Sequence, residues 1–138
     1  MANIENATAL ISIFGKWPSF HDAEVLRAVL DRSGPEGPSV ETMIHVFEMT
    51  SEIDSKSGLY AVKNRMLVTL RFTEISLQQI HGFNEQNVLS SLEVAELDPD
   101  AHEGRHFHVR LASLYGMDAE FECKRLIVGN VQPYEGAV

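Results

Sequence analysis

The stretch Ala23-Glu24-Val25-Leu26-Arg27-Ala28-Val29-Leu30-Asp31-Arg32 decides the architecture. Val25, Leu26, Val29 and Leu30 fit a helix, and Ala, Leu, Glu and Arg favour one by propensity. A fully buried strand need not alternate, so the same residues also fit a strand. The sequence that follows weighs on the choice. Ser33-Gly34-Pro35-Glu36-Gly37-Pro38 is a turn-rich joint, and Val40 to Met49 beyond it reads as a strand. Two strands around such a joint make a hairpin. We read 23–32 as a strand, with a helix as the open alternative.

Immediately upstream lies Gly15-Lys16-Trp17-Pro18-Ser19-Phe20-His21-Asp22, which holds the only tryptophan of the chain. Pro18 fixes its own φ and biases Trp17 away from helix. A helix should therefore end near Phe14 and a bent connection should follow. Trp17 and Phe20 are large rings suited to sealing one end of a core. Asp22 suits a cap or turn, with His21 as its partner. Before this segment, Ile4, Ala7, Leu10, Ile11 and Phe14 form one stripe of a three-turn helix, with Asn3 as cap and Gly15 as stop.

The run Phe14-Gly15-Lys16-Trp17-Pro18-Ser19-Phe20-His21-Asp22-Ala23-Glu24-Val25, with Gly82-Phe83-Asn84-Glu85-Gln86-Asn87-Val88 far downstream, resembles the Immunity-50 family of bacterial polymorphic toxin systems. The likeness in length and segment order extends over most of the chain. It favours an extended segment at 23–32. It also implies a role, neutralising a cognate toxin, and carries no mechanism or functional residues with it.

Further along, Val40 to Met49 is apolar on both faces, with Ile44 and Val46 on one and Met43, Phe47 and Met49 on the other. Such a strand belongs in the middle of a covered sheet. Ser51 to Gly58 reads as a polar loop with Glu52 and Asp54, and Leu59 to Phe72 as the next strand. Past Phe72 the apolar parity shifts to Ile75 and Leu77, which predicts a β-bulge near Thr73-Glu74. Asn84, Gln86 and Asn87 predict a cap and one or two helical turns through Val88, Leu89 and Leu92, with a short strand from Leu92 to Leu97. The last unit is a hairpin. Phe107, Val109 and Leu111 alternate against His106, His108 and Arg110, and Ala119, Phe121 and Cys123 against Glu120, Glu122 and Lys124. An odd-length loop, Tyr115-Gly116-Met117, keeps the apolar faces together and sets Arg110 opposite Glu122. Leu126 to Val131 continues as strand, and Tyr134 to Val138 is expected to fray.

A chain of 138 residues fits one domain, 1–138, with material for a real core. No apolar run is long enough for a membrane span, and Met1-Ala2-Asn3-Ile4-Glu5-Asn6 lacks the pattern of a secretory signal. One cysteine, Cys123, excludes an internal disulfide and suits a reducing cytosol, so we expect a cytoplasmic protein. The formal charge of −9, from 20 acids against 11 bases, disfavours direct nucleic-acid binding and suits a basic protein partner. The densest acidic tract carries Glu93, Glu96, Asp98, Asp100 and Glu103, with no base until Arg105.

No catalytic or metal-binding motif in the chain rises above background. Cys123 alternates in phase with Phe121 and reads as a buried, inert thiol. His21-Asp22 reads as a structural hydrogen bond, since adjacent residues rarely present both groups to one substrate. His106-x-His108 places two imidazoles on one strand face, but a third ligand would have to come from Glu103 or Glu122. We expect no metal and no cofactor.

The expected fold is α+β: a mostly antiparallel, curved β-sheet with an N-terminal helix packed on one face. The leading function is a non-catalytic immunity protein for a cognate protein toxin, a basic nuclease being one candidate. Contact is assigned to Glu93, Glu96, Asp98, Asp100 and Glu103, with Glu52 and Asp54 secondary; Trp17, Phe20, His21 and Asp22 form a structural motif. The alternatives are a generic acidic protein-binding module and a small hydrolase or metal enzyme using His21, Asp22, His106 or His108. A free edge strand also leaves a homodimer open.

Overall fold

Residues 24–31 pair antiparallel with 39–45, so the deciding stretch is a strand. The computed structural model describes residues 3–136. It contains α1 (Thr8–Phe14) and eight strands: β1 (Glu24–Asp31), β2 (Ser39–Ile53), β3 (Tyr60–Thr73), β4 (Ser76–His81), β5 (Val88–Glu96), β6 (Phe107–Tyr115), β7 (Asp118–Cys123) and β8 (Arg125–Pro133). They make one curved sheet in the order β4-β7-β6-β5-β1-β2-β3-β8, with every neighbouring pair antiparallel. The expected α+β fold is the observed one.

The sheet curls because two of its strands turn a shared corner. β4 follows β3 after Glu74 and Ile75, and β8 follows β7 after Lys124. The pairs Phe72↔Leu126, Thr73↔Arg125 and Ser76↔Glu122 keep a constant register across this corner. β3–β4 and β7–β8 are therefore two long strands of one antiparallel ribbon, and the outermost strands β4 and β8 each continue an interior one. Lys124 donates its backbone N–H to the Thr73 carbonyl at 2.9 Å within the corner. The bulge predicted at Thr73-Glu74 takes this form instead of an inserted residue: Glu74 adopts φ 45°, which turns the chain, and the register slips on either side of the corner, between Val68 and Leu70 and between Ser76 and Gln79. Ile75 packs partly buried against the core, while the Leu77 side chain lies outside what is described.

The core fills the inside of the curl. Val40, Ile44 and Val46 of β2, Val68, Leu70 and Phe72 of β3, Val109 and Leu111 of β6, and Phe121 of β7 are buried there. Phe72 and Phe121 meet edge to face, with centroids 5.1 Å apart, joining the two halves of the sheet. α1 packs against β8 and adds Leu10 and Phe14 to this core. The helix is shorter than its stripe predicts. Asn6 sits at φ 60°, and Glu5 pairs in parallel with Ile127, so Ile4 and Ala7 reach the core from an extended segment and a cap. Gly15 closes the helix in the left-handed region at φ 80°, where its N–H bonds the Ile11 carbonyl.

Two other expectations are corrected. The segment after Asn84 forms no helical turn; β5 begins at Val88, earlier than the strand expected from Leu92. Asn87 is buried and uses its side chain as a hub. Its Oδ1 accepts from the Asn84 N–H at 2.9 Å and the Met117 N–H at 3.0 Å, and its Nδ2 donates to the Asn84 carbonyl at 2.8 Å and the Val25 carbonyl at 3.3 Å. A helix would consume these groups locally. The β6–β7 hairpin keeps the predicted faces but slips by two residues: Arg110 stands opposite Glu120, and His108 opposite Glu122. The slip follows from Met117, placed in the loop by its sequence yet fully buried and held by Asn87. Gly116, at φ 75°, passes so near the Gln86 carbonyl and Asn87 Oδ1 that a Cβ there would overlap both.

Tyr134 is tied down. It lies 4.2 Å from His45, centroid to centroid, and its N–H donates to the Arg65 carbonyl at 3.0 Å. Of the tail expected to fray, residues 137 and 138 lie outside the described residues.

Candidate partner-binding surface

The Gly15–Asp22 connection is shaped by three left-handed residues: Gly15 at φ 80°, Phe20 at φ 60° and Asp22 at φ 64°. Such conformations cost energy in residues other than glycine and persist where packing over-determines them. Here burial does so. Phe20 is 1% exposed, Pro18 is buried, and Trp17 tilts against Phe20 with centroids 5.7 Å apart. Phe20 belongs to the core, and Trp17 packs partly buried against it. His21 and Asp22 meet at 3.2 Å as expected, but with the imidazole side chain 63% exposed. A pair this open contributes at most about 1 kcal/mol. Ser19 Oγ accepts from the His21 backbone N–H, so it serves the turn.

Between this connection and β2 lies a slot of about 520 Å³ lined by Phe14, Pro18, His21, Asp22, Phe47 and Met49, among others. Lys16, Glu48 and Lys63 bring charge to its rim. Its origin is in the ladder. β1 pairs with β2 only as far as Glu24↔His45, and with β5 only at Glu24↔Val88. Asp22 and Ala23 add backbone bonds to Leu89, and the chain then turns away. β2 runs on to Ile53 and β5 to Glu96 with no strand paired between them. A bulge opposite Phe47, with Asn64 at φ 53°, bends this outer part of the β2–β3 hairpin. Along it Met49, Ile53, Leu59 and Tyr60 are exposed by 55–70%.

The seven carboxylates singled out from the sequence fall in two separate stretches of the chain. Glu93 and Glu96 are on β5, and Asp98, Asp100 and Glu103 on the loop after it; Glu52 and Asp54 are at the end of β2. In the sheet β1 is ordered between these strands, but it begins at Glu24, opposite His45 and Val88, short of the carboxylates on both. Several of the seven have local duties. Glu93 accepts from Ser91 Oγ, Glu96 from Asn3 Nδ2, and Asp98 and Asp54 close turns through the Asp100 and Lys56 N–H groups. Glu103 stands 3.5 Å from Arg105. Glu52 and Asp100 have no side-chain partner among the described residues.

The histidines do not converge. His108 pairs with Glu120 at 2.9 Å and His102 with Glu122 at 3.2 Å, while His106 is exposed. Among the described residues no group of three or more His, Cys, Asp or Glu side chains is placed to hold a metal ion. Cys123 is fully buried, and burial pushes its thiol up to about 12.

Three features had weaker signals in the sequence. Glu5 accepts both ends of the Arg125 guanidinium at 2.6 Å, and Arg125 reaches Glu36 at 2.9 Å, which also receives Arg71 at 3.0 Å. The Arg125 hydrogen bonds hold the Glu5 carboxyl below its ordinary range. His45, 4% exposed, lies between Phe47 and Tyr134 with Nε2 facing Arg65 Nε at 3.3 Å. Desolvation, and then the nearby Arg65 charge, lower its pKa from 6.5 to about 4. The Asn87 hub is the third, and a short polar residue between apolar runs was its only trace.

A short helix on a coiled antiparallel sheet, with a bare strand edge beside a strained aromatic turn and carboxylates on exposed loops, defines a small acidic β-rich protein. The family model described as Immunity protein 50 matches residues 6–134, and the chain belongs to that family. It matches no curated protein and no solved structure. Among the described residues no helix is long and apolar enough to cross a membrane.

Proposed function

We propose that the protein neutralises a cognate toxin by forming a stoichiometric complex with it in the cytoplasm, acting as one domain and without catalysis. Membership of the Immunity protein 50 family over residues 6–134 carries this reading. The charge of −9 supports a cationic target, such as a nuclease whose groove accepts phosphates. Glu93, Glu96, Asp98, Asp100 and Glu103 are the steering carboxylates, with Glu52 and Asp54 secondary.

The test is a titration with the toxin domain encoded in the adjacent gene. Binding should be tight, should weaken with salt, and should suppress the toxin in a co-expressing cell. Asparagine or glutamine at the five tract positions, which removes charge and keeps an oxygen acceptor for the local bonds, should slow association by about tenfold while leaving thermal stability nearly unchanged. Unchanged association kinetics would remove the tract from the account; a fully active toxin would remove the function.

A further inference from the structure

We propose that the bare edge of β2 from Val46 to Ile53 receives an extended segment of the toxin as an added antiparallel strand. This rests on the neutralising function above and names where and how the partner docks.

The sheet is missing a strand at this place. β1 starts at Glu24, opposite His45, while β2 continues for eight residues and β5 continues beyond Leu89 in the same direction. An interior strand would lie between them, running as β1 runs. Neighbouring strands sit about 4.8 Å apart, so a strand added here would meet the row of backbone donors and acceptors on β2 at a fixed distance. Natural sheets blunt such edges with lysine, proline or a covering segment. From Val46 to Ile53 there is no lysine and no proline; the bulge opposite Phe47 bends the edge without pairing it, and the Glu52 carboxylate favours a basic strand over a second acidic copy. The segment that comes nearest, Gly15–Asp22, stands off and leaves the slot of about 520 Å³.

Side chains define the occupant. Met49 and Ile53 are 56% and 58% exposed on the edge itself, with Leu59 and Tyr60 beyond at 70% and 55%. Glu52 and Asp54 alternate with these apolar groups, and neither forms an ion pair among the described residues. The matching strand carries apolar side chains at alternate positions and basic ones between them. Strand addition supplies affinity through the main chain and specificity through alternate side chains. The strained aromatic turn then has a purpose: it seals the core while holding the chain clear of the edge.

Hydrogen exchange of the free protein and of its complex with the adjacent-gene toxin domain tests this directly. Those amides of Val46–Ile53 that point away from β3 should gain protection on binding, and Met49→Lys with Ile53→Lys should weaken the complex by about tenfold or more. Leu30→Lys, at an exposed position on β1 away from the edge, should bind as the parent does. Both changes sit at exposed positions, and matching melting curves would show that the fold is kept. A complex that forms with protection elsewhere, and that tolerates the double change, overturns the edge assignment and leaves neutralisation standing. Failure to form any complex overturns both. Concentration-dependent protection of Val46–Ile53 in the free protein assigns the edge to a second copy and overturns the proposal.

Discussion

Lowering the pH from about 7 to about 5 should weaken this fold through His45. The imidazole is 4% exposed and stays neutral down to about 4, whereas in the unfolded chain it takes up a proton near 6.5. A depressed histidine pKa means that the unfolded state binds its proton first as acid is added. Stability is therefore complete above the unfolded value, falls through the window between the two values, and is level below the folded one. A gap of this size amounts to roughly 3 kcal/mol in full, of which roughly 2 kcal/mol is lost by pH 5. Urea unfolding of the parent and of His45→Gln at both pH values isolates the term, because the other histidines are common to both proteins. Glutamine keeps an oxygen for the Arg65 Nε–H at this position and does not titrate. The parent should lose about 2 kcal/mol more than the variant on acidification. Equal losses in the two proteins, or an imidazole resonance that titrates near its ordinary value, would refute the burial argument.

Two further substitutions probe the interior. Thr42 is fully buried and its Oγ1 has no hydrogen-bond partner among the described residues, so Thr42→Val should stabilise the protein by about 1 kcal/mol in urea unfolding. A loss instead would mean that the hydroxyl is satisfied. Asn87→Ala strips the Met117 N–H, the Asn84 backbone and the Val25 carbonyl of their side-chain partner, and should cost about 2–4 kcal/mol with no change in the order of the strands. A thermal midpoint close to the parent's would show that water replaces the amide.

How much of this was legible depends on whether a residue's role was local. The alternation of Phe107, Val109 and Leu111 against Ala119, Phe121 and Cys123 gave the β6–β7 faces correctly, because period two is a property of each strand alone. The register between them was not local. It is fixed by Met117 and by an asparagine 30 residues earlier, and so it slipped by two. Asn84 and Asn87 resembled a helix cap for the same reason: their side chains do bond nearby backbone, but Asn87 also reaches Val25 and Met117 across the fold. His45 was hidden on a strand face that reads as apolar, and only Tyr134, far along the chain, makes it a buried site. The carboxylates of Glu93 to Glu103 were visible as composition. Their position across the unfilled place from Glu52 was not, because strand order and strand length are properties of the whole chain. The empty place beside β2 was equally invisible, since it is defined by where β1 stops.

The shared corner at Glu74 and Lys124 has a kinetic meaning. β3–β4 and β7–β8 clasp each other like two staves of one hoop, so neither outermost strand can lift away without loosening a strand inside the sheet. Partners more than 40 residues apart must meet before the hoop shuts, as Phe72 must find Leu126. Such distant pairings place a chain among the millisecond-to-second folders. Once shut, the molecule should open as a unit, its rim held by the same bonds as its middle.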